Sequence, residues 1–502
     1  MHSTNSPFRN RRLRGAVSIA TLVTVLAGAA FSSASPALAA NLATTSLKVS
    51  PAVDHPSASV KASGKGFAAN EAVDVYFDTT DEILAVTDSS GAFRSYPMPV
   101  PADALPGTHW ITAVGRKDGV AAQKSFTVRT DWPEIGFSPR GTRDNPYENV
   151  LSSQAVSSLD LAWVTATGQY INSSPAVANG NVYVTSNDHN LYAFNGTTGA
   201  KLWSATLGDY SNSSPAVADR TVYVGANDGK LYAFDARNGS SLWSYATGAA
   251  IESSPAIAGN IVYVGSDDGN LYAFDAKSGA KLWSNSTGKV TASPTVAYGT
   301  VYVDAATGLF AYNAATGAAL WNRIGFLSTV SPAVANGLVY IDDNHGYFEA
   351  LDATNGYGIW ASQSIGSAAT SAAVANGAVY ACLANGLLYA FNAATGAVLW
   401  SAPLGEINSS PAVADGVVYV SVASGLFALD AATGVILWSE PTESFTGESS
   451  PTVANGMVYV GSTDFNLYAF ALDGGGHAAY RRNAEPPAPP TLQPDWRLQP
   501  AR

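Results

Sequence analysis

The residues of this sequence that could do chemistry are few and lie far apart. The turn SDDGN carries two adjacent carboxylates, Asp267 and Asp268, but it lacks the alternating oxygen ligands of a calcium-binding loop. Cys382 is the only cysteine, so it cannot form an intramolecular disulfide, and no histidine lies near it in the sequence to activate the thiol. His189 and His345 stand in turns of distant parts of the chain. We interpret the aspartates as turn residues and Cys382 as a buried packing residue, with a catalytic thiol as the alternative.

A repeated block carries these residues. The block SSPAVANGNVYVTSNDHNLYAFNGTTGAKLW begins at Ser173 and recurs in altered form at intervals of about 40 residues. Each copy alternates apolar with small or polar residues at a period of two, and Asn-Gly, Asp-Gly and Thr-Gly pairs separate the runs. This pattern predicts four short antiparallel strands per unit and no helix. The landmark prolines are Pro175, Pro215, Pro255, Pro294, Pro332, Pro411 and Pro451, with Ala372 in the sixth of eight units.

Eight four-stranded units predict an all-β fold, an eight-bladed β-propeller. Trp163 precedes the first block and the last block has no tryptophan, so we expect the segment around Trp163 to supply the fourth strand of the last blade. We also predict that each tryptophan packs against the neighbouring blade. The tryptophans of this set are Trp163, Trp203, Trp243, Trp283, Trp321, Trp360, Trp400 and Trp438.

A signature within the unit resembles the tryptophan-docking motif of quinoprotein repeats. Ala193, Asn195, Thr198, Gly199 and Trp203 follow that motif nearly in full. The resemblance covers roughly residues 150 to 473 and makes the chain similar to the pyrroloquinoline-quinone (PQQ)-like eight-bladed propellers. That family includes quinoprotein dehydrogenases and the outer-membrane assembly lipoprotein of the BamB type.

The resemblance implies redox chemistry only for the dehydrogenases of this family. These enzymes hold the quinone over Ca²⁺ with a catalytic Asp and often an adjacent Cys pair. A chain with one cysteine cannot form that pair, and its nearly uniform units lack the large insertions that usually build a quinone pocket. We therefore expect no catalytic residue, no metal site and no cofactor, with bound PQQ and Ca²⁺ as the alternative.

A ligand site is expected where the copies of the repeat differ most. The first strand of each unit should line the central channel, and the loop before it should open on one face. Positions three and five residues before the landmark proline carry side chains that could bind a polar ligand, a cation or a peptide. The alternative interpretation is that these are solvated loop residues without a function. This candidate channel-mouth site comprises Tyr170, Asn172, Tyr210, Asn212, Glu252, Lys289, Glu406, Asn408 and Glu448.

The regions outside the repeats predict further segments. Residues 1–40 combine a basic start, an apolar run and small residues before a cleavage point near Ala39 or Ala40, which is typical of a signal peptide. Residues 41–129 alternate as strands and resemble an immunoglobulin-like β-sandwich. We predict a linker over 130–150, the propeller over 151–473 and a disordered Pro-rich tail over 474–502.

Composition restricts the partners. The formal net charge is −12, which argues against nucleic acid, because phosphate binding needs clustered Lys and Arg. No second apolar run is long enough to span a membrane in the mature chain. We expect an exported, secreted or envelope-associated monomer that binds a protein or polysaccharide partner without catalysis. The alternatives are a PQQ-dependent dehydrogenase and a BamB-like subunit of an envelope assembly complex.

Overall fold

A computed structural model describes residues 45–325, 330–343, 345–363, 366, 370–441 and 448–472. The predicted signal peptide over 1–40 and the predicted tail over 474–502 lie outside these residues.

The first part of the chain forms two β-sheets around one core. The three-stranded sheet has the order β1-β3-β6, and the five-stranded sheet has the order β2-β8-β7-β4-β5. Val60, Val75 and Phe126 are fully buried between them, as expected for a sandwich with apolar inner faces. The immunoglobulin-like assignment of this sandwich stays a prediction. Its strands are β1 Ser46–Ser50, β2 Val53–Asp54, β3 Ser59–Lys65, β4 Ala72–Phe77, β5 Thr80–Val86, β6 Phe93–Pro99, β7 Gly107–Gly115 and β8 Ala121–Val128.

The repeats form a β-propeller, in which the described residues make up eight antiparallel four-stranded blades. Before the first blade come β9 Asp144–Asn145, a 3-10 helix Val156–Ser158 and β10 Leu159–Ala166. Blades 1 and 2 consist of β11 Ala176–Ala178, β12 Asn181–Ser186, β13 Asn190–Asn195, β14 Lys201–Thr206, β15 Ala216–Ala218, β16 Thr221–Gly225, β17 Lys230–Asp235 and β18 Ser241–Ala246. Blades 3 and 4 consist of β19 Ala256–Ala258, β20 Ile261–Gly265, β21 Asn270–Asp275, β22 Lys281–Ser286, β23 Thr295–Ala297, β24 Thr300–Ala305, β25 Gly308–Asn313 and β26 Ala319–Ile324.

The remaining blades follow the same plan, with the three-residue strand innermost. Blades 5 and 6 consist of β27 Ala333–Ala335, β28 Leu338–Asp342, β29 Phe348–Asp352, β30 Gly358–Ala361, β31 Ala373–Ala375, β32 Ala378–Cys382, β33 Leu387–Asn392 and β34 Val398–Pro403. Blades 7 and 8 consist of β35 Ala412–Ala414, β36 Val417–Val422, β37 Gly425–Asp430, β38 Ile436–Pro441, β39 Thr452–Ala454, β40 Met457–Gly461 and β41 Asn466–Leu472, with β10 as the outer strand of blade 8.

The ring closes through this outer strand. β10 pairs antiparallel with β41, with Val164 opposite Tyr468, which confirms the prediction made from Trp163. The pairing joins the two ends of the ring by hydrogen bonds and covers the edge that β41 would otherwise expose.

Hairpin turns follow from the residues at their tips. Between β11 and β12, Asn179 and Gly180 have φ values of 55° and 74°. A two-residue turn with positive φ at both positions matches the right-handed twist of the strands, and Asn-Gly is the pair that adopts it most readily. The turn chemistry therefore sets the register in which Val177 faces Val182.

Each tryptophan of the repeat contacts the next blade. Its indole N–H donates to a backbone carbonyl there at 3.0–3.1 Å, as Trp203 does with Ala236. In seven of the eight, the ring also lies on a glycine of the next blade: a Cβ on Gly239 would stand 2.5 Å from the Trp203 ring. Gly239 also has φ +71°, so both the turn and the ring require it. Trp438 instead packs against Phe470.

Candidate functional site

One end of the central channel is closed by the chain itself. Residues 130–148, named the channel segment below, run inside the ring against the inner strands. Trp132 is fully buried and exchanges two hydrogen bonds with Val177, and β9 pairs in parallel with β35. The prediction of a linker over 130–150 is therefore corrected: most of this stretch packs in the propeller instead of merely connecting two domains.

The channel segment contacts the inner strand of every blade. Its carbonyl or carboxylate oxygens accept the central backbone N–H of seven inner strands, and Asn145 donates to a carbonyl of the eighth. The innermost strand of a blade has an unpaired edge, and its buried N–H groups need hydrogen-bond partners. Because the channel segment is irregular, it can direct a carbonyl oxygen toward each of these edges. The accepted donors are the N–H groups of Val177, Val217, Ile257, Val296, Val334, Val374 and Val413.

Several ionisable groups are buried with this segment. Burial raises the pKa of Glu134 to about 8 and that of Asp144 to about 7, and it lowers the pKa of Arg143 to about 10. Burial also raises the pKa of Glu148, although the N–H of Gly456 and other donors to its carboxylate oppose the shift. The closed end thus holds several groups whose charged forms are disfavoured by burial.

A ring of serines lies between the channel segment and the mouth. The backbone N–H of the second serine of the block donates to the hydroxyl oxygen of the same serine in the next blade, at 2.8–3.0 Å, in seven of the eight neighbouring pairs. The bond from Ser450 to Ser174 completes the circuit between blades 8 and 1. The prediction of mouth residues missed this ring, although Ser371 keeps its place even where Ala372 replaces the landmark proline.

The mouth is the opposite end, where the loops enter the inner strands. At blades 8 and 1, the rings of Tyr170 and Phe465 lie 5.2 Å apart, and Tyr170, Phe465 and Tyr210 are 44%, 39% and 37% exposed. Phe465 and His189 have φ values of 78° and 68° in turns where blades 2 and 3 use Gly229 and Gly269. Bulky side chains in this backbone region cost free energy and are concentrated at functional sites.

The structure brings some candidate residues together in pairs. The Asn172 side chain donates to Asn212 at 3.4 Å, and Lys289 Nζ lies 4.0 Å from Glu252 Oε2. Lys289 also forms an ion pair with Asp267 at 2.8 Å, and this hydrogen bond raises the pKa of Lys289. Asp267 therefore contributes to the mouth, a role that its interpretation as a turn residue did not include.

The remaining candidates stand apart. Glu406, Asn408 and Glu448 are exposed, and no side-chain hydrogen bond or ion pair joins them to the other candidates among the described residues. Asp268 accepts hydrogen bonds from Gly248, Asn270 and the Tyr272 hydroxyl, as a turn residue should.

Two further features bear on metal and thiol chemistry. Residues 45–472, apart from the gaps given above, hold no group of three or more His, Cys, Asp or Glu side chains suited to a metal ion. Cys382 is fully buried, and burial raises its pKa to about 12, which keeps the thiol protonated. The described part also contains no helix with the length and apolar character needed to cross a membrane.

A cavity of 180 Å³ lies where the sandwich meets blades 1 and 8. Arg129 lines it and donates to Asn179 at 3.3 Å. Gly196 forms part of the wall, at the position that blade 2 fills with Ala236. This substitution is the sequence signal that could have indicated the cavity.

The four-stranded blades and their docking tryptophans define a β-propeller of the PQQ-like class. The sequence matches the family described as outer membrane protein assembly factor BamB over residues 152–362 and 349–488. The chain belongs to this family. No curated protein matches the sequence.

Solved structures share the fold. BamB from Moraxella catarrhalis is 24% identical, with a TM-score of 0.55, and the match covers 63% of this chain and 98% of that one. A europium-containing methanol dehydrogenase is 15% identical, with a TM-score of 0.60, over 68% of this chain and 98% of the other. Quinohemoprotein alcohol dehydrogenase from Comamonas testosteroni is 19% identical, with a TM-score of 0.60, over 74% and 83%. These similarities place a BamB protein and two dehydrogenases on one fold.

Proposed function

We propose that this chain is a non-catalytic, protein-binding scaffold of the cell envelope, and that the partner docks at the open mouth of the propeller. The observation that carries the proposal is the channel segment. This segment closes the channel at the end where the inner strands finish. The loops that precede the inner strands, at the mouth, therefore remain accessible to a partner. Residues 1–40 support export to the envelope as a sequence prediction.

The side chains at the mouth fit a protein surface. Tyr170, Phe465 and Tyr210 offer exposed aromatic area, which is enriched at protein interfaces, and polar and charged residues can surround such an anchor. Membership of the BamB family supports a role in protein interaction. The propeller would then serve as a rigid support for loops that differ between blades.

The charge of the mouth does not fit the quinone well. PQQ carries three carboxylates, so its site needs cationic partners. Among the described candidate residues of the mouth are three glutamates, Glu252, Glu406 and Glu448, but one lysine. That lysine, Lys289, already pairs with Asp267. A tricarboxylate would meet like charges there, and this supports a function without the cofactor.

The test compares binding and catalysis on the same preparation. Mature protein is incubated with PQQ and Ca²⁺, and dye reduction is followed with alcohols and sugars; we expect no turnover. In parallel, wild-type protein and the double variant Tyr170→Ala/Tyr210→Ala are cross-linked in native envelopes. The proposal predicts a defined protein adduct that the double variant loses and the variant Tyr298→Ala, on the other face, keeps. Quinone-dependent turnover, or an adduct equally strong in all three proteins, contradicts it.

A further inference from the structure

A small cavity lies inside the channel, between the channel segment and the Ser-Pro stretches of the inner strands. Its volume is 20 Å³. A space of this size holds one water-sized species and is too small for sulfate or phosphate. Its wall includes Arg143 and Glu134 from the channel segment together with Ser293, Ser331 and Ser371 from the ring of serines.

Arg143 brings a buried cationic group to this cavity. The residue is 4% exposed, and its Nη1 atom has no hydrogen-bond partner within the described residues. The backbone on either side is fixed, since the Arg143 N–H donates to Gly136 at 3.0 Å and its carbonyl accepts from Val413 at 2.8 Å. These bonds fix the backbone that carries the guanidinium, and the guanidinium has no ion-pair partner among the described residues.

The serine hydroxyls of the wall have protons to donate. Ser293, Ser331 and Ser371 each accept a backbone N–H from the neighbouring blade. In the part of the chain that the structure describes, these three hydroxyls donate to no acceptor. The cavity wall thus combines a guanidinium with hydroxyl donors, which is the arrangement that an anion requires.

Burial limits the negative charge near Arg143 at neutral pH. It raises the pKa of Asp144, the next residue, to about 7, so this carboxyl is only partly ionised. Burial lowers the pKa of Arg143 only to about 10, so the group stays protonated. Burial raises the pKa of Glu134 to about 8 and that of Cys382 to about 12, so both are neutral at pH 7. A buried charge without a partner is strongly destabilising.

We propose that this cavity binds a single monatomic anion, chloride under natural conditions, between the Arg143 guanidinium and the serine hydroxyls. The anion neutralises the buried cation and accepts the protons that the wall offers. The site does not depend on the proposed partner at the mouth, because the channel segment and the ring of serines form it.

Diffraction tests the site directly. Crystals of the mature protein grown with sodium bromide should show one anomalous peak in the channel beside Arg143, and the peak should vanish when bromide is replaced by gluconate. A water in the cavity without an anomalous peak overturns the proposal.

Unfolding measurements test it in solution. The thermal midpoint of the wild type should be higher in sodium chloride than in sodium gluconate at equal ionic strength. Each tenfold rise in chloride above its dissociation constant should add about 1.4 kcal/mol to the free energy of unfolding. The variant Arg143→Gln should lose this difference, and Arg140→Gln, on the exposed part of the same segment, should keep it. Equal wild-type midpoints in the two salts refute the proposal even if Arg143→Gln fails to fold.

Discussion

The contact between a tryptophan and the glycine of the next blade yields a sharp prediction. In Gly239→Ala, the new Cβ would stand 2.5 Å from the Trp203 ring, at a residue with φ +71°. Positive φ costs an alanine about 1–2 kcal/mol, and overpacking adds about 1–3 kcal/mol. We therefore expect Gly239→Ala to lower the free energy of unfolding by roughly 2–5 kcal/mol.

Gly259 provides the matched control. It has φ +59°, and a Cβ there would meet nothing within 4 Å. Gly259→Ala should therefore cost only the backbone term, about 1–2 kcal/mol. The difference between the two variants isolates the contact with the indole ring.

A double-mutant cycle completes the test. Trp203→Ala should cost about 3–5 kcal/mol by itself, and in that background Gly239→Ala should cost no more than Gly259→Ala, because the ring is gone. Guanidinium unfolding of the single and double variants, followed by far-ultraviolet circular dichroism, measures these values. Equal effects of Gly239→Ala in both backgrounds would refute the docking of the tryptophan on the next blade.

Three further predictions concern the channel and the mouth. Glu134 is protonated in the folded protein up to about pH 8, but ionises near pH 4.5 when unfolded, so its contribution to stability is complete below pH 4.5 and is lost as pH rises through 8. The free energy of unfolding of the wild type, measured with urea, should fall over this range relative to that of Glu134→Gln by up to roughly 5 kcal/mol, and parallel pH profiles would contradict this. Trp132→Ala should cost about 3–5 kcal/mol in the same assay, and an unchanged midpoint would mean that the channel segment does not stabilise the ring. Lys289→Gln should change stability by less than about 1 kcal/mol, because an exposed ion pair contributes little, but it should weaken partner binding in a cross-linking titration; unchanged partner affinity would remove Lys289 from the site.

Much of the propeller could be predicted because the same local sequence signals recur in every repeat. Strand period, turn pairs and the tryptophan position are local signals, and the absence of a tryptophan after β41 was enough to predict the pairing of β10 with it. Local residue types therefore predicted the blades and their closure.

The channel segment could not be predicted in this way because it occurs once and has no strand period. Its Pro and Gly residues are typical of a linker, and its hydrogen bonds go to strands far along the chain, such as that of Val413. Trp132 and Phe137 were the available signal, since an exposed linker has little use for large apolar side chains. At the mouth, the ion pair between Lys289 and Asp267 was not predicted, because Asp267 had already been explained as a turn residue.

Site-specific photo-cross-linking tests the central claim, that the partner docks at the mouth. A photoreactive residue replaces Tyr210 at the mouth or Tyr357, which is 75% exposed and lies in the hairpin between β29 and β30; both proteins are irradiated in native envelopes. The account predicts one defined protein adduct from position 210 and none from position 357. An adduct from position 357 without one from position 210 would contradict it.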